Sequence, residues 1–265
     1  MTAELVAAVR RRTDEVVAAL RSLDEPGVRA PSSLPNWSRL TIACHLRYGA
    51  EAFGRMTAAA LADRPVAYYP GGRAAQRPGT LEPGPGEAPG DVVASLAGHS
   101  EALDRLWAGM AEEQWEGVVR EPDDTPDLGP LPLGRLPLLR LTEVEVHGTD
   151  LDLGLGDWSD VFVRVALPFR LEWLNTRRTN HRAVDEGVTG SWLLTAPDGP
   201  TWRVAVDGFA VSSRPASPGD AADAVIEASA RDLLALLLGR PSRVEPRYGG
   251  DVALAQAFSR AFPGP

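Results

Sequence analysis

The chain contains no lysine: all 27 of its basic residues are arginine, set against 36 aspartates and glutamates. That bias reads as the codon usage of a GC-rich genome and says little about function. A net charge of −9 and a pI near 5.0 leave no basic footprint of the kind that binds nucleic acid or an anionic membrane surface. Cysteine is almost absent as well. The single Cys44 cannot form an intramolecular disulfide, and no basic, apolar and small-residue leader is recognisable, so the cytoplasm is the expected compartment. Long apolar runs are missing too. The stretch from Leu233 to Leu238 falls far short of the roughly 20 residues that span a bilayer, so a soluble protein is expected. There is no GxSxG, P-loop, Rossmann glycine pattern or CxxC, and hence no sequence support for serine-hydrolase or nucleotide-binding readings.

At 265 residues and 44% apolar content the chain can bury a substantial core, and two domains are expected. Apolar residues at helical spacing predict helices over Ala3–Leu23, Arg39–Ala62, Ala88–Met110 and Arg135–Leu153, the second capped by Ser38. The Pro- and Gly-rich connections Asp63–Pro89 and Glu121–Pro132 read as loops, and four amphipathic helices so joined predict an antiparallel bundle. After Trp158 the pattern changes. A bridging helix over Val161–Thr176 is followed by strand-like runs at 190–195, 201–206 and 224–228, with Asp198-Gly199 as a hairpin signal, and by helices over 230–238 and 252–262. The C-terminal part therefore reads as α+β.

The residues that carry chemistry are His45, Glu143 and His147. Glu143 and His147 are four apart and share one helix face, and His45 would arrive from another helix. Singly, His45 fits a buried or capping histidine, and Glu143 with His147 fits an ordinary intrahelical contact. Together they match a three-ligand metal site whose fourth position is open, the layout of a catalytic rather than a structural centre. Asp150, three residues beyond His147, fits either an outer acceptor for its imidazole or a helix-end charge. Glu145 points away from the shared face and reads as a solvent-facing or outer group. Cys44 is about 100° around the helix from His45 and reads as a small buried hydrophobe. His99 and His181 have no second ligand at helical or turn spacing.

The segments Leu34-Pro35-Asn36-Trp37-Ser38-Arg39, Ala43-Cys44-His45-Leu46, Glu143-Val144-Glu145-Val146-His147 and Asp150-Leu151 together resemble the mycothiol-dependent maleylpyruvate isomerase family, within the wider DinB-like metalloproteins. The resemblance extends over nearly the whole chain. It implies a fold class of α plus α+β: an N-terminal DinB-like four-helix bundle over 1–158, then a bridging helix and a smaller sterol-carrier-like α+β domain over 159–265. Asp232–Arg240 and Gly250–Leu254 resemble that second domain's ending.

The resemblance also implies a divalent metal, zinc, on His45, Glu143 and His147, with mycothiol as thiol cosubstrate and a small-molecule electrophile as its target. A zinc-bound thiol is deprotonated at neutral pH and becomes a competent nucleophile. The family implicates an arginine of the second domain in isomerase catalysis, and Arg240 is its match. Arg73, after Tyr69-Pro70-Gly71-Gly72, and Tyr48 are the further candidates for cofactor binding. The chain departs from the family pattern at Tyr48 and Gly49, where an Arg-Asn pair is common, and at Gly148, where a histidine is common. Those departures favour a mycothiol S-transferase acting on another electrophile. A mycothiol-dependent maleylpyruvate cis–trans isomerase is the alternative, and a non-catalytic small-molecule-binding protein is the third reading.

Overall fold

Ser38 ends an extended stretch and starts a helix. Its hydroxyl accepts a hydrogen bond from the Thr41 amide at 3.0 Å, pairing one of the amides that a helix start leaves without a partner. That helix is α2, Arg39–Leu61, in a computed structural model that describes residues 1–123, 129–175, 187–197, 199–208 and 210–264. The chain divides into two units, Met1–Phe162 and Val163–Pro265.

In the first unit, α1 (Thr2–Arg21), α2, α3 (Pro89–Ala108) and α4 (Leu136–Asp150) form a four-helix arrangement. Helices α1 and α2 each pack against both α3 and α4, so α2 and α4, which carry the three candidate ligands, are direct neighbours. Leu20, Ile42, Leu46, Met56, Leu96, Leu103 and Leu141 are fully buried between the helices. Burying such side chains contributes roughly 1.5–3 kcal/mol each. Among the buried polar groups, Trp107 Nε1–H donates to Thr57 Oγ1, whose hydroxyl donates to the Phe53 carbonyl.

The long connection before α3 is irregular except for a helical turn at Arg73–Gln76 and a 3₁₀ turn at Pro78–Leu81, the latter packed on α2. A short antiparallel ribbon pairs Val118–Val119 with Leu131–Pro132 inside what the sequence presents as connection. Two residues per strand are too few for a period-2 pattern to register. No described helix is long and apolar enough to cross a membrane.

Helix α5 (Asp160–Trp173) begins where the Ser159 hydroxyl accepts from the Phe162 amide, and it contains Pro168. The expected end of this helix at Thr176, together with His181 and Asp198, lies outside the described residues.

The second unit is built on a five-stranded sheet with strands β1 (Gly190–Thr195), β2 (Thr201–Asp207), β3 (Ala210–Ala216), β4 (Ala224–Glu227) and β5 (Arg247–Gly250). Their spatial order is β3-β2-β1-β4-β5; β1 and β4 are parallel and the other pairs antiparallel. Helices α6 (Ala230–Leu237) and α7 (Val252–Ala261) complete it. Trp192 on β1 meets Phe258 and Phe262 edge-on and donates from Nε1 to the Leu254 carbonyl.

Strands β3 and β5 are the elements that sequence periodicity misses. Both lie at sheet edges, where one side of the backbone stays unpaired, so β3 tolerates Pro215 and a polar run. Strand β5 ends at Gly250, whose positive φ of 65° suits glycine and whose added Cβ would collide with the Asp223 carbonyl.

Candidate metal centre

Helix α2 presents His45 from its second turn, and α4 presents Glu143 and His147 one turn apart. Because α2 and α4 pack directly, the three side chains converge: one ligand atom from each lies within 4.8 Å of the other two. Glu143 Oε2 is 2.6 Å from His45 Nε2 and 3.6 Å from His147 Nε2. Glu143 is the most open of the three, with 32% of its side-chain surface exposed against 12% for His45 and 13% for His147. An approach to the cluster therefore runs past the carboxylate.

The protonation states suit a cation. Burial is the main cause that lowers the pKa of His45, and it outweighs the opposing pull of Glu143, so the imidazole is held neutral. For Glu143 burial works upward, but the attraction and hydrogen bond of His45, with help from His147 and Arg140, prevail and hold the carboxyl far below its usual range. Two imidazoles and one carboxylate form a donor set that fits a zinc-like divalent ion.

Asp150 supplies the outer support. The Nδ1–H of His147 donates to its carboxylate at 2.9 Å, which fixes the tautomer and leaves the Nε2 lone pair facing Glu143. His45 lacks this brace: its buried Nδ1 has no hydrogen-bond partner among the described residues.

Trp37 forms one wall. Its ring stacks on His147 at 5.8 Å between centroids and 12° between planes, and it meets His45 edge-on at 5.5 Å. The loop carrying it is tied to the end of α4: Ser33 N and Oγ donate to the Asp150 carbonyl, and Arg39 Nε donates to the Leu151 carbonyl. Asn36, at φ 65°, turns the chain just before Trp37, in the left-handed region that asparagine tolerates better than most residues.

The other sequence candidates have contacts of their own. Tyr48 donates its hydroxyl to the Tyr68 carbonyl at 2.6 Å and stacks on Tyr69. Burial pushes its phenol up to about 12. Arg73 lies over the Tyr69 ring at 5.6 Å. Arg240 follows α6 in the second unit, where its Nη1 donates to the Leu238 carbonyl at 3.1 Å. His99 is exposed on α3. Cys44 is fully buried, and burial pushes its thiol up to about 11, which makes it an inert hydrophobe.

Glu145 is neither solvent-facing nor part of the outer support at the ligands. It is buried against α1, with its carboxylate 3.3 Å from Arg12 Nε and accepting from the Ser159 hydroxyl. Facing away from the ligand side of α4 means facing α1 rather than water. Gly148 lies on that side too: an added Cβ would come within 3.0 Å of Arg12 Nε.

Three contributors escaped sequence reasoning. Trp37 depends on loop docking, which has no periodic signal. Tyr68, nearly fully buried on the Pro/Gly-rich connection, lies close enough to Glu143 that the carboxylate's charge adds to burial in pushing its phenol well up. Arg140 is fully buried and donates from Nη1 to the Leu46 carbonyl at 2.9 Å. Its position three residues before Glu143 places it on the same helix face, the one signal that could have found it.

Comparison with known proteins bears on this geometry. The family model described as the mycothiol maleylpyruvate isomerase N-terminal domain matches residues 9–152, a span that contains all three ligands and the loop of Trp37. No protein of curated function matches the chain. Among solved structures, the crystal structure of the mycothiol-dependent maleylpyruvate isomerase is similar at 18% identity and a TM-score of 0.66, covering 94% of this chain and 93% of that one. A histidine-to-alanine mutant of that enzyme matches over the same shares with a TM-score of 0.65. At this identity the structural likeness establishes the fold, mixed helix and sheet, and the family model establishes kinship. The chain belongs to the mycothiol maleylpyruvate isomerase family of enzymes.

Proposed function

We propose that this protein is a divalent-metal enzyme that uses mycothiol to isomerise a small unsaturated acid of the maleylpyruvate class from cis to trans, with zinc as the metal. The convergence of His45, Glu143 and His147 within 4.8 Å, inside the segment that matches the family model, carries the reading. A divalent ion held there lowers the pKa of a coordinated thiol enough to present it as a thiolate near neutral pH. The remaining work falls to the chain. Glu143 supplies the negative charge, the Asp150 carboxylate keeps the His147 lone pair aimed at the site, and the Trp37 ring shields one side from water. With Cys44 buried and its thiol raised, the nucleophile is the cosubstrate's sulfur. Reversible addition of that sulfur to the alkene, rotation about the resulting single bond, and elimination of the same thiolate complete an isomerisation without net consumption of thiol.

The S-transferase reading rested on Tyr48, Gly49 and Gly148. One of these weighs less once its neighbours are known. Gly148 adjoins Arg12 and Val16 on the α1 side, away from the ligand atoms, whereas a Cβ at Gly49 would meet Arg140 and the Tyr68 hydroxyl, the groups next to Glu143. With the family match over residues 9–152, the isomerase is the preferred reading. Within it, Arg240 keeps the catalytic assignment implied by the resemblance, and Tyr48 and Arg73 remain candidate thiol contacts. Domains over 1–158 and 159–265 are likewise part of the proposal.

The experiment is incubation of purified, metal-loaded protein with mycothiol and maleylpyruvate. Fumarylpyruvate formation dependent on both metal and thiol is the expected result. Release of a stable thioether from another electrophile, with no fumarylpyruvate, would move the assignment to S-transfer.

A further inference from the structure

The three ligands and their braces account for most polar groups around the site, and one charged group stands outside that account. Arg77 lies in the connection between α2 and α3, with its guanidinium carbon 6.0 Å from the centre of the Trp37 ring. Trp37 stacks on His147 and meets His45 edge-on, so Arg77 is placed over the ring that walls both imidazoles. Its charge reaches His45, where it works against protonation.

The neighbouring arginines are committed. Arg47 is paired with Glu87 at 2.6 Å, Arg39 donates to the carbonyls of Gly27, Leu151 and Asp152, and Arg140 donates to the Leu46 carbonyl. The guanidinium of Arg77 has no hydrogen-bond or ion-pair partner among the described residues. A cation–π contact at 6.0 Å is at the outer limit of that interaction and uses none of the five N–H donors.

The backbone beneath this side chain is held firmly. The Arg77 amide donates to the Arg73 carbonyl, and its own carbonyl accepts from both the amide and the hydroxyl of Thr80. Pro78 follows immediately, and the turn Pro78–Leu81 packs on α2, the helix that carries His45. A half-buried, unpaired guanidinium on an anchored turn is preorganised for a planar anion, because its fork matches a carboxylate with two parallel hydrogen bonds.

We propose that Arg77 is a specificity-determining residue that receives a carboxylate of the small-molecule substrate beside His45, Glu143 and His147. This rests on the proposed function, which calls for a substrate bearing carboxylates. Arg77 fixes the acid end of the molecule so that its alkene carbon lies near the sulfur. Neutral or purely cationic electrophiles gain nothing from it, so the site discriminates in favour of unsaturated acids.

The test uses the zinc-loaded full chain and two variants, Arg77→Gln and Arg77→Lys, each first shown by zinc content and circular dichroism to match wild type. Binding of maleate, a cis dicarboxylate that needs no turnover, is measured by calorimetry, and kinetics are measured with maleylpyruvate and mycothiol. Loss of a charge-assisted pair predicts about tenfold weaker maleate binding in Arg77→Gln. The KM for maleylpyruvate should rise by a similar factor, with kcat and the KM for mycothiol little changed. Arg77→Lys, which keeps the charge and loses the fork, should fall between. Equal maleate affinity in wild type and Arg77→Gln overturns the proposal, and so does a wild type that binds no maleate. A wild type that binds maleate through Arg77 yet converts no maleylpyruvate sinks the isomerase reading and leaves the role of Arg77 standing.

Discussion

Helix α4 carries two acidic clusters two residues apart, and their fates differ. Glu143 faces α2 and meets two imidazoles; Glu145 faces α1 and meets the guanidinium of Arg12. Burial works to raise the pKa of both carboxyls. At Glu143 the histidines and Arg140 overcome it, while at Glu145 it outweighs the help of Ser159 and Arg12, and the pKa is raised. The Glu145 cluster brings its own cation and closes on itself, with Arg12 also donating to the Leu155 carbonyl at 2.7 Å. The Glu143 cluster is one cation short. A carboxylate beside two imidazoles is a receptor, whereas one opposite an arginine is a brace.

The largest effect expected from breaking this contrast is at the ligands. His45→Ala, Glu143→Ala or His147→Ala should remove stoichiometric metal and bring thiol-dependent turnover below detection, while the bundle stays folded by circular dichroism. Full metal content in any of these variants would mean that the cluster is not the binding site.

Glu145→Ala should do the reverse. It removes the buried carboxylate beside Arg12, which keeps Glu15 and the Leu155 carbonyl as partners, at a cost of about 1–3 kcal/mol in denaturant unfolding, while the folded fraction keeps its metal. Loss of metal with unchanged stability would erase the distinction between the two faces.

Smaller effects sharpen it. Asp150→Asn removes the carboxylate that holds the tautomer of His147 and should weaken metal affinity by about 10- to 100-fold, measured by competition with a chelator. An unchanged affinity would reduce Asp150 to a helix-end charge.

The pH dependence of metal-free protein is the mildest test. Both His45 and Glu143 have folded pKa values below their unfolded ones, so the stability each contributes is present above the unfolded value and is lost as pH falls through the folded value. His45 acts below its ordinary 6.5, and Glu143 below its ordinary 4.5. Glu145 has the opposite sign: its raised folded pKa costs stability as pH rises through 4.5 toward the folded value. The acid-side decline should therefore flatten in a His45→Ala Glu143→Gln double variant and steepen in Glu145→Gln. Identical pH profiles for the two variants would show that the faces do not differ electrostatically.

Much of the architecture is legible before any coordinates. The four bundle helices lie within one to three residues of their expected ends, because each carries a strong apolar stripe and clear Pro, Gly or Ser boundaries. Strands β3 and β5 escape because edge strands need no apolar alternation on both faces. Glu143 and His147 can be paired from their spacing alone, since one helix determines both positions.

What the sequence by itself determined is local: helix registers, the i,i+4 ligand pair, the capping serine and the kinship of residues 9–152. Tertiary structure alone decided that Glu145 meets Arg12 rather than water, that Trp37 covers His147, and that Arg77 hangs unpaired over that ring. The reason is reach. Helical periodicity correlates residues within a few turns, whereas these contacts join segments tens to more than a hundred positions apart, held by packing and loop hydrogen bonds that leave no periodic trace.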